Sequence, residues 1–274
     1  MAELEYKFTN DILFKILFTR HINLLKSLVS ALLDIKLDSI EEFKIINPEI
    51  PPDLIKEKFC RLDINMVVNG QQVDLEVQVE DEKDYTYRSV YYWARDYSSS
   101  LNKGKTYSEL PRVIVISILD FNLFKCKEFH SEFEILEVTR HERLTDRLSM
   151  HFYELHKIPK VITKSGKILW LSLFGSKTEE QLKEIEALGV PEMKEAIEAF
   201  NNIAVSDEFR EFERLRSRAE HNEASALANE RRKEREKWQG VVAEKDTTIA
   251  EKDTVISDQA SLIAELKKRL GEDK

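Results

Sequence analysis

RLDINMVVNGQQVDLEVQ, residues 61–78, is the stretch that decides the fold. Two runs of alternating apolar and polar residues flank Asn69-Gly70, and an Asn-Gly pair in that setting makes a two-residue hairpin turn, because both central positions need positive φ. Facing residue numbers then sum to 139: Val68 with Gln71, Met66 with Val73, Ile64 with Leu75. Asp63 falls opposite Glu76 and Arg61 opposite Gln78. The Asp63–Glu76 position is a non-hydrogen-bonded pair, with Cβ atoms roughly 4.5–5.5 Å apart.

One face of this hairpin carries Leu62, Ile64, Met66, Val68, Val73, Leu75, Val77 and Val79. The other carries Arg61, Asp63, Asn65, Asp74, Glu76, Gln78 and Glu80, with Val67 the exception to the segregation. Two carboxylates about 5 Å apart repel by under ~1 kcal/mol in water but by about 3 kcal/mol at an effective dielectric near 20. The pair is cheap if solvated and calls for a cation if covered. Alternation alone admits both readings, since a wet polar face is ordinary in an antiparallel sheet.

On the N-terminal side, Leu13, Leu17, Leu24, Leu28 and Leu32 follow a 3.6-residue period, which predicts one helix over residues 11–33 capped by Thr9, Asn10 or Asp11. On the C-terminal side, Tyr87, Val90, Tyr91, Ala94, Tyr97 and Leu101 predict an amphipathic helix ending near Gly104. Its aromatic stripe, with Trp93, is expected to be core rather than a base-stacking platform. RVIVISILDF (residues 112–121) reads as a buried strand, and two more strands are expected at 132–139 and 148–156. Helices follow: one ending at Gly175, one over 178–188 with a Thr-x-x-Gln capping box, and one starting near Pro191.

The string RLDINMVVNGQQVDLEVQ, followed by YRSVYYWARDYSSSLNKGKTY and RVIVISILDF and preceded by NDILFKILF, resembles the PD-(D/E)XK nuclease family transposases, the Rpn-type recombination-promoting nucleases. The likeness covers about residues 8–205. It implies an α/β, restriction-endonuclease-like mixed sheet flanked by helices, and a Mg²⁺-dependent DNA endonuclease linked to recombination or mobile elements, with Mn²⁺ as an alternative ion. The family's metal-binding aspartate falls on Asp63 and its second acid on Glu76, with the backbone carbonyl of Val77 as a further ligand. The ion would polarise the phosphate and lower the pKa of an attacking water.

Gln78 stands where the wider superfamily has lysine, as Rpn-type sequences commonly do. An amide can orient water but does not stabilise hydroxide as an ammonium does. Asp11 resembles the acid of the family's opening motif, with a helix cap as its other role. Lys15, Arg88 and Arg95 are candidate phosphate contacts, against the alternative of salt bridges to the abundant acids. A rival function is a catalytically weak DNA-binding or oligomerising protein on the same scaffold, and RNA is a third option as substrate. His130, His141, His151 and His156 show no ligand spacing and are assigned no metal.

Composition agrees with a body plus an appendage. The 274 residues correspond to about two domains. Seven glycines, against roughly nineteen for average usage, leave little material for phosphate-cradling loops or a turn-dense sandwich. The net charge of −9 argues against a coat for nucleic acid, and residues 1–100 contribute 12 basic and 18 acidic side chains to it. Cys60 and Cys126 have no CxxC partner and fit strand residues in a reducing compartment. MAELEYKFTND lacks the parts of a secretory signal and Val113–Leu119 is too short to span a bilayer, so a cytoplasmic protein with no membrane partner is expected.

The expected domains are 1–205, the nuclease unit, and 206–274, a charged helical extension. AEKDTTI and AEKDTVI repeat at 243–256, and Val242, Ile249, Ile256, Ile263 and Leu270 recur every seven residues. The positions three residues on are Lys245, Lys252, Gln259 and Leu266, so a homo-oligomer through a coiled coil and a solvated helix both fit the pattern.

Overall fold

A computed structural model describes residues 3–49, 63–101 and 106–271 of the chain. Arg61, Leu62, Cys60 and Gly104, each used in the sequence reading, lie outside the described residues. Six strands form one mixed sheet in the order β1-β2-β3-β4-β6-β5: β1 (Phe43–Ile45), β2 (Ile64–Val68), β3 (Gln71–Gln78), β4 (Val113–Leu119), β5 (His130–Leu136) and β6 (Arg143–Glu154). The β3–β4 and β4–β6 pairs are parallel and the others antiparallel. This is the α/β architecture expected from the sequence.

The first helical stretch is two helices, not one. α1 (Asp11–Arg20) ends at His21, and α2 (Ile22–Leu32) restarts there. Asn10 is the cap of α1, its side chain accepting from the Leu13 amide at 2.9 Å, so Asp11 is released for another role. The three-residue edge strand β1 is too short for a periodicity to announce it. Cys126 lies exposed in the β4–β5 connection rather than in a strand.

Alternation along the strands gives the sheet two different faces. Leu75, Ile116 and Tyr153 point to one side, where α1, α2, α4 (Gly166–Gly175), α5 (Glu179–Glu186) and α6 (Pro191–Ala204) build the main core around Phe14, Leu28, Trp170 and Phe200. The Thr178–Gln181 capping box opens α5 as its sequence requires. Asp74, Glu76, Val115, Ser117, Met150 and Phe152 point to the other side, beneath α3 (Tyr85–Ser99).

The long helix α7 (Asp207–Leu270) belongs to two compact units, which divide at Arg216 and Ser217. Within the first unit Phe209 is fully buried, stands edge-on to Tyr6 at 4.8 Å, and is accompanied into the core by Phe212 and Leu215. The second unit is helical, with Trp238, Val242, Ile249, Ile256, Ile263 and Leu270 all exposed. No described helix is long and apolar enough to cross a membrane.

Removing a buried phenylalanine costs about 3–5 kcal/mol. A chain ending after Arg216 is therefore expected to unfold at the denaturant midpoint of the intact first unit. One ending after Val205, which lacks Phe209, is expected to unfold several kcal/mol earlier. Equal urea midpoints for the two would contradict this packing.

Candidate active site

The Asn69-Gly70 turn has the positive φ values its type needs, 48° and 74°, and the hairpin pairs in the register it dictates: Ile64 with Leu75, Asn65 with Asp74, Val68 with Gln71. Asp63, one residue before β2, therefore lies across from Glu76. Their face is covered in part: beneath α3 Asp74 is 5% exposed and Glu76 3%, while Asp63, Asn65 and Gln78 are half-buried and Glu80 is exposed. The solvated reading fails for Asp74 and Glu76, whose charges bear the desolvation cost, and holds for Glu80.

Each acid is held by neighbours of identifiable origin. Glu76 accepts from the Tyr85 hydroxyl, at the start of α3, and from Gln78 Nε2 at 3.1 Å. A phenol has one proton to give, so the Ser117 hydroxyl, 2.7 Å away on β4, donates to Tyr85 in turn. Burial and the adjacent Glu76 charge hold the Tyr85 hydroxyl well above its ordinary pKa, which keeps it a donor. Asp63 receives Asn65 Nδ2 at 2.7 Å. Its backbone carbonyl takes Lys15 Nζ at 2.6 Å and Asn47 Nδ2 at 3.1 Å.

Lys15 is thus a buried clamp on the Asp63 backbone and does not line the cleft as a phosphate contact. Asp74, two residues before Glu76 and opposite Asn65, has its carboxyl pushed well above the usual range by burial, then by Asp63, Glu76 and Asp96. Asp74 Oδ1 is buried without a hydrogen-bond partner.

These groups floor a cleft of about 440 Å³ lined by Asp63, Glu76, Val77 and Gln78 of the hairpin, Asp11 of α1, Arg88 of α3 and Arg216 of α7. Even-numbered residues of β3 turn their peptide groups to β4: Gln72 N–H meets the Arg112 carbonyl, and the Gln78 carbonyl meets Asp120 N–H. By alternation the Val77 carbonyl turns to the opposite edge, the side of Asp63. Gln78 Oε1 accepts from the Arg88 guanidinium at 3.0 Å, and Arg88 is itself steadied by Glu82, by Asp84 at 3.9 Å and by the Tyr85 ring at 5.1 Å. Asp11 is gripped bidentately by Arg216.

Arg95 is elsewhere: it pairs with Asp96 at 3.3 Å, lies over the Tyr92 ring, and does not line the cleft. The stripe expected as core is also misplaced, for Tyr87 and Tyr91 are exposed while Trp93 and Tyr97 are half-buried. Of the histidines, His130 Nε2 and His151 Nδ1 meet at 3.1 Å in near-coplanar rings, so one donates to the other, and burial takes His151 down to about 4.

A family model for PD-(D/E)XK nuclease family transposases matches residues 8–230. The chain belongs to that family. Comparisons with curated proteins and with solved structures return no match. In this PD-(D/E)XK chain the sequence missed Tyr85, Ser117, Asn47 and Arg216. Tyr85 had a local signal, as the first residue of the helix that follows the second acid; Arg216 had none, since only the return of α7 brings it to Asp11.

The oxygen donors that face the cleft would suit a hard divalent cation: its carboxylates outnumber its cations, and the Val77 carbonyl turns to the side of Asp63. Among the described residues no group of three or more His, Cys, Asp or Glu side chains forms a ligand set. Two carboxylates suit Mg²⁺, which keeps several of its waters.

Tyr85→Phe keeps the ring packed between Phe121 and Phe152 and removes the hydroxyl shared by Glu76 and Ser117. Stability is expected to fall by about 1–3 kcal/mol in urea titrations. An unchanged midpoint would show that the hydroxyl does not carry Glu76.

Proposed function

We propose that the chain is a metal-dependent endonuclease that hydrolyses phosphodiester bonds in DNA. The observation that carries this reading is Asp63 opposite Glu76 on a covered, carboxylate-rich sheet face that opens into a cleft. Mg²⁺ held by Asp63, Glu76 and the Val77 carbonyl would supply charge to the phosphate and acidity to a water. Glu76 keeps its orientation through Tyr85 and Gln78. Lys15 and Asn47 fix the Asp63 backbone from below.

The superfamily's lysine position holds Gln78, and the cation missing from it stands one contact away. Arg88 touches the Gln78 amide at 3.0 Å, so Gln78 orients the water while Arg88 brings positive charge to the same point. Arg88, Arg216 and Lys7 are the cations that line the cleft, and its further acids, Glu80 and Glu82 among them, make phosphate binding depend on them. In the second unit the seven-residue ladder from Val242 to Leu270, exposed throughout, supports self-association through a coiled coil. A cytoplasmic place and a role in recombination or mobile elements complete the proposal.

The deciding experiment is plasmid cleavage by the purified chain with Mg²⁺, Mn²⁺ or EDTA. Asp63→Asn and Glu76→Gln each remove a ligand charge and keep the shape, and each is expected to lower metal-dependent cleavage on the order of 10³-fold while remaining folded. Arg88→Met and Gln78→Ala are expected to lower single-turnover rate by roughly 10²-fold with metal affinity little changed. Full cleavage by both acid variants would sink the assignment. Metal binding without cleavage in the wild-type chain would favour the interaction-protein reading.

A further inference from the structure

Helix α3 is inside out. It buries Tyr85, Ser89 and Asp96 against the sheet and turns outward an apolar stripe at helical spacing: Tyr87, Val90, Tyr91 and Ala94. Tyr87 is 79% exposed, Val90 51% and Tyr91 64%. The buried face is explained by the acid site, which needs a polar cover that supplies a hydroxyl to Glu76. Among the described residues of the first unit nothing covers the outer face, whose period is that of a helix packing on a helix.

A polyanion is a poor occupant. The stripe carries no lysine or arginine, and the approach to it, Glu80–Asp84, holds four acids around Lys83. A protein helix of the same character suits it, and the stripe is complementary to itself. Its centre lies between residues 90 and 91, so antiparallel pairing with a second copy sets facing numbers to a sum of 181. Bulky Tyr87 then meets small Ala94, and Val90 meets Tyr91 beside the dyad. The same arrangement brings Arg95 of each copy toward the acidic N-terminal turn of the other, where Asp84 stands. Parallel pairing would set Arg95 against Arg95.

We infer that the exposed face of α3 is an isologous docking surface for a second copy of this chain, packed antiparallel about Val90 and Tyr91. Two tyrosines and a valine remove on the order of 400 Å² per copy, about half of the ~800 Å² of a standard interface. The pairing is weak by itself, so the experiment uses the chain at about tens of micromolar. It gives an assembly with two acid clefts, one for each strand of a duplex; that consequence rests on the nuclease reading above, the pairing does not.

Cross-linking in the full chain, with Cys60→Ser and Cys126→Ser as background, tests the register. Cysteines bridge only when their Cβ atoms come within about 4.5 Å. Val90→Cys, next to the dyad, is expected to form a covalent dimer under mild oxidation. Ser98→Cys, on the same face but about 22 Å from its equivalent by helical rise, is expected to cross-link at least about tenfold more slowly. Adding Tyr87→Glu and Tyr91→Glu to Val90→Cys is expected to abolish the dimer, with helix content by circular dichroism unchanged. Equal rates at positions 90 and 98 would mean mere encounter or tethering elsewhere and would overturn the proposal. So would the absence of a Val90→Cys dimer, or a dimer that survives both glutamates. None of these readouts involves metal or cleavage.

Discussion

Carboxylates concentrated on one face of a β-hairpin and then covered by a helix are the constraint from which the rest of the molecule follows. Burying charge is costly unless it is paired, hydrogen-bonded or held by a cation. The chain meets that cost locally: Tyr85 and Gln78 donate to Glu76, Asn65 to Asp63, and Lys15 and Asn47 fix the backbone that carries Asp63. Asp74 and Asp96 keep one buried carboxylate oxygen each without a hydrogen-bond partner, and burial and neighbouring acids raise the pKa of both. A proton on such a carboxyl relieves its burial, and on the proposed reading a bound cation would do so for Asp63 and Glu76.

The same constraint shapes α3. A helix laid over acids must present polar groups inward, so Ser89 and Asp96 are buried where an ordinary amphipathic helix would bury Tyr87 and Tyr91. Its apolar stripe is displaced outward as a result. On the opposite face of the sheet Leu75, Ile116 and their neighbours are met by the apolar side chains of α1, α2, α4, α5, α6 and the first turns of α7.

The hairpin was legible because its turn chemistry is local: Asn69-Gly70 sets the register and hence the Asp63–Glu76 opposition. The capping box at Thr178 was legible for the same reason. The break at His21 was not, since the leucine period runs straight across it. Periodicity found the stripe of α3 but not which side of the helix meets the sheet, because it reports that a face is apolar and not what covers it. Lys15 read as a phosphate contact because its charge was visible and its burial was not. Arg216 reaches Asp11 only through tertiary packing of the first turns of α7, which no local pattern encodes.

The central claim is that this acid face is built for a divalent cation, and stability as a function of Mg²⁺ tests it without reference to cleavage. A ligand that binds only the folded state at about 100 times its dissociation constant stabilises by about 2.7 kcal/mol. Urea titrations with EDTA and with saturating Mg²⁺ are expected to show that increment for the wild-type chain and none for Asp63→Asn. In EDTA the Asp63→Asn chain is expected to be at least as stable as wild type, because a repelling charge is gone. Midpoints of the wild-type chain that ignore Mg²⁺, or an equal gain in Asp63→Asn, would contradict the account.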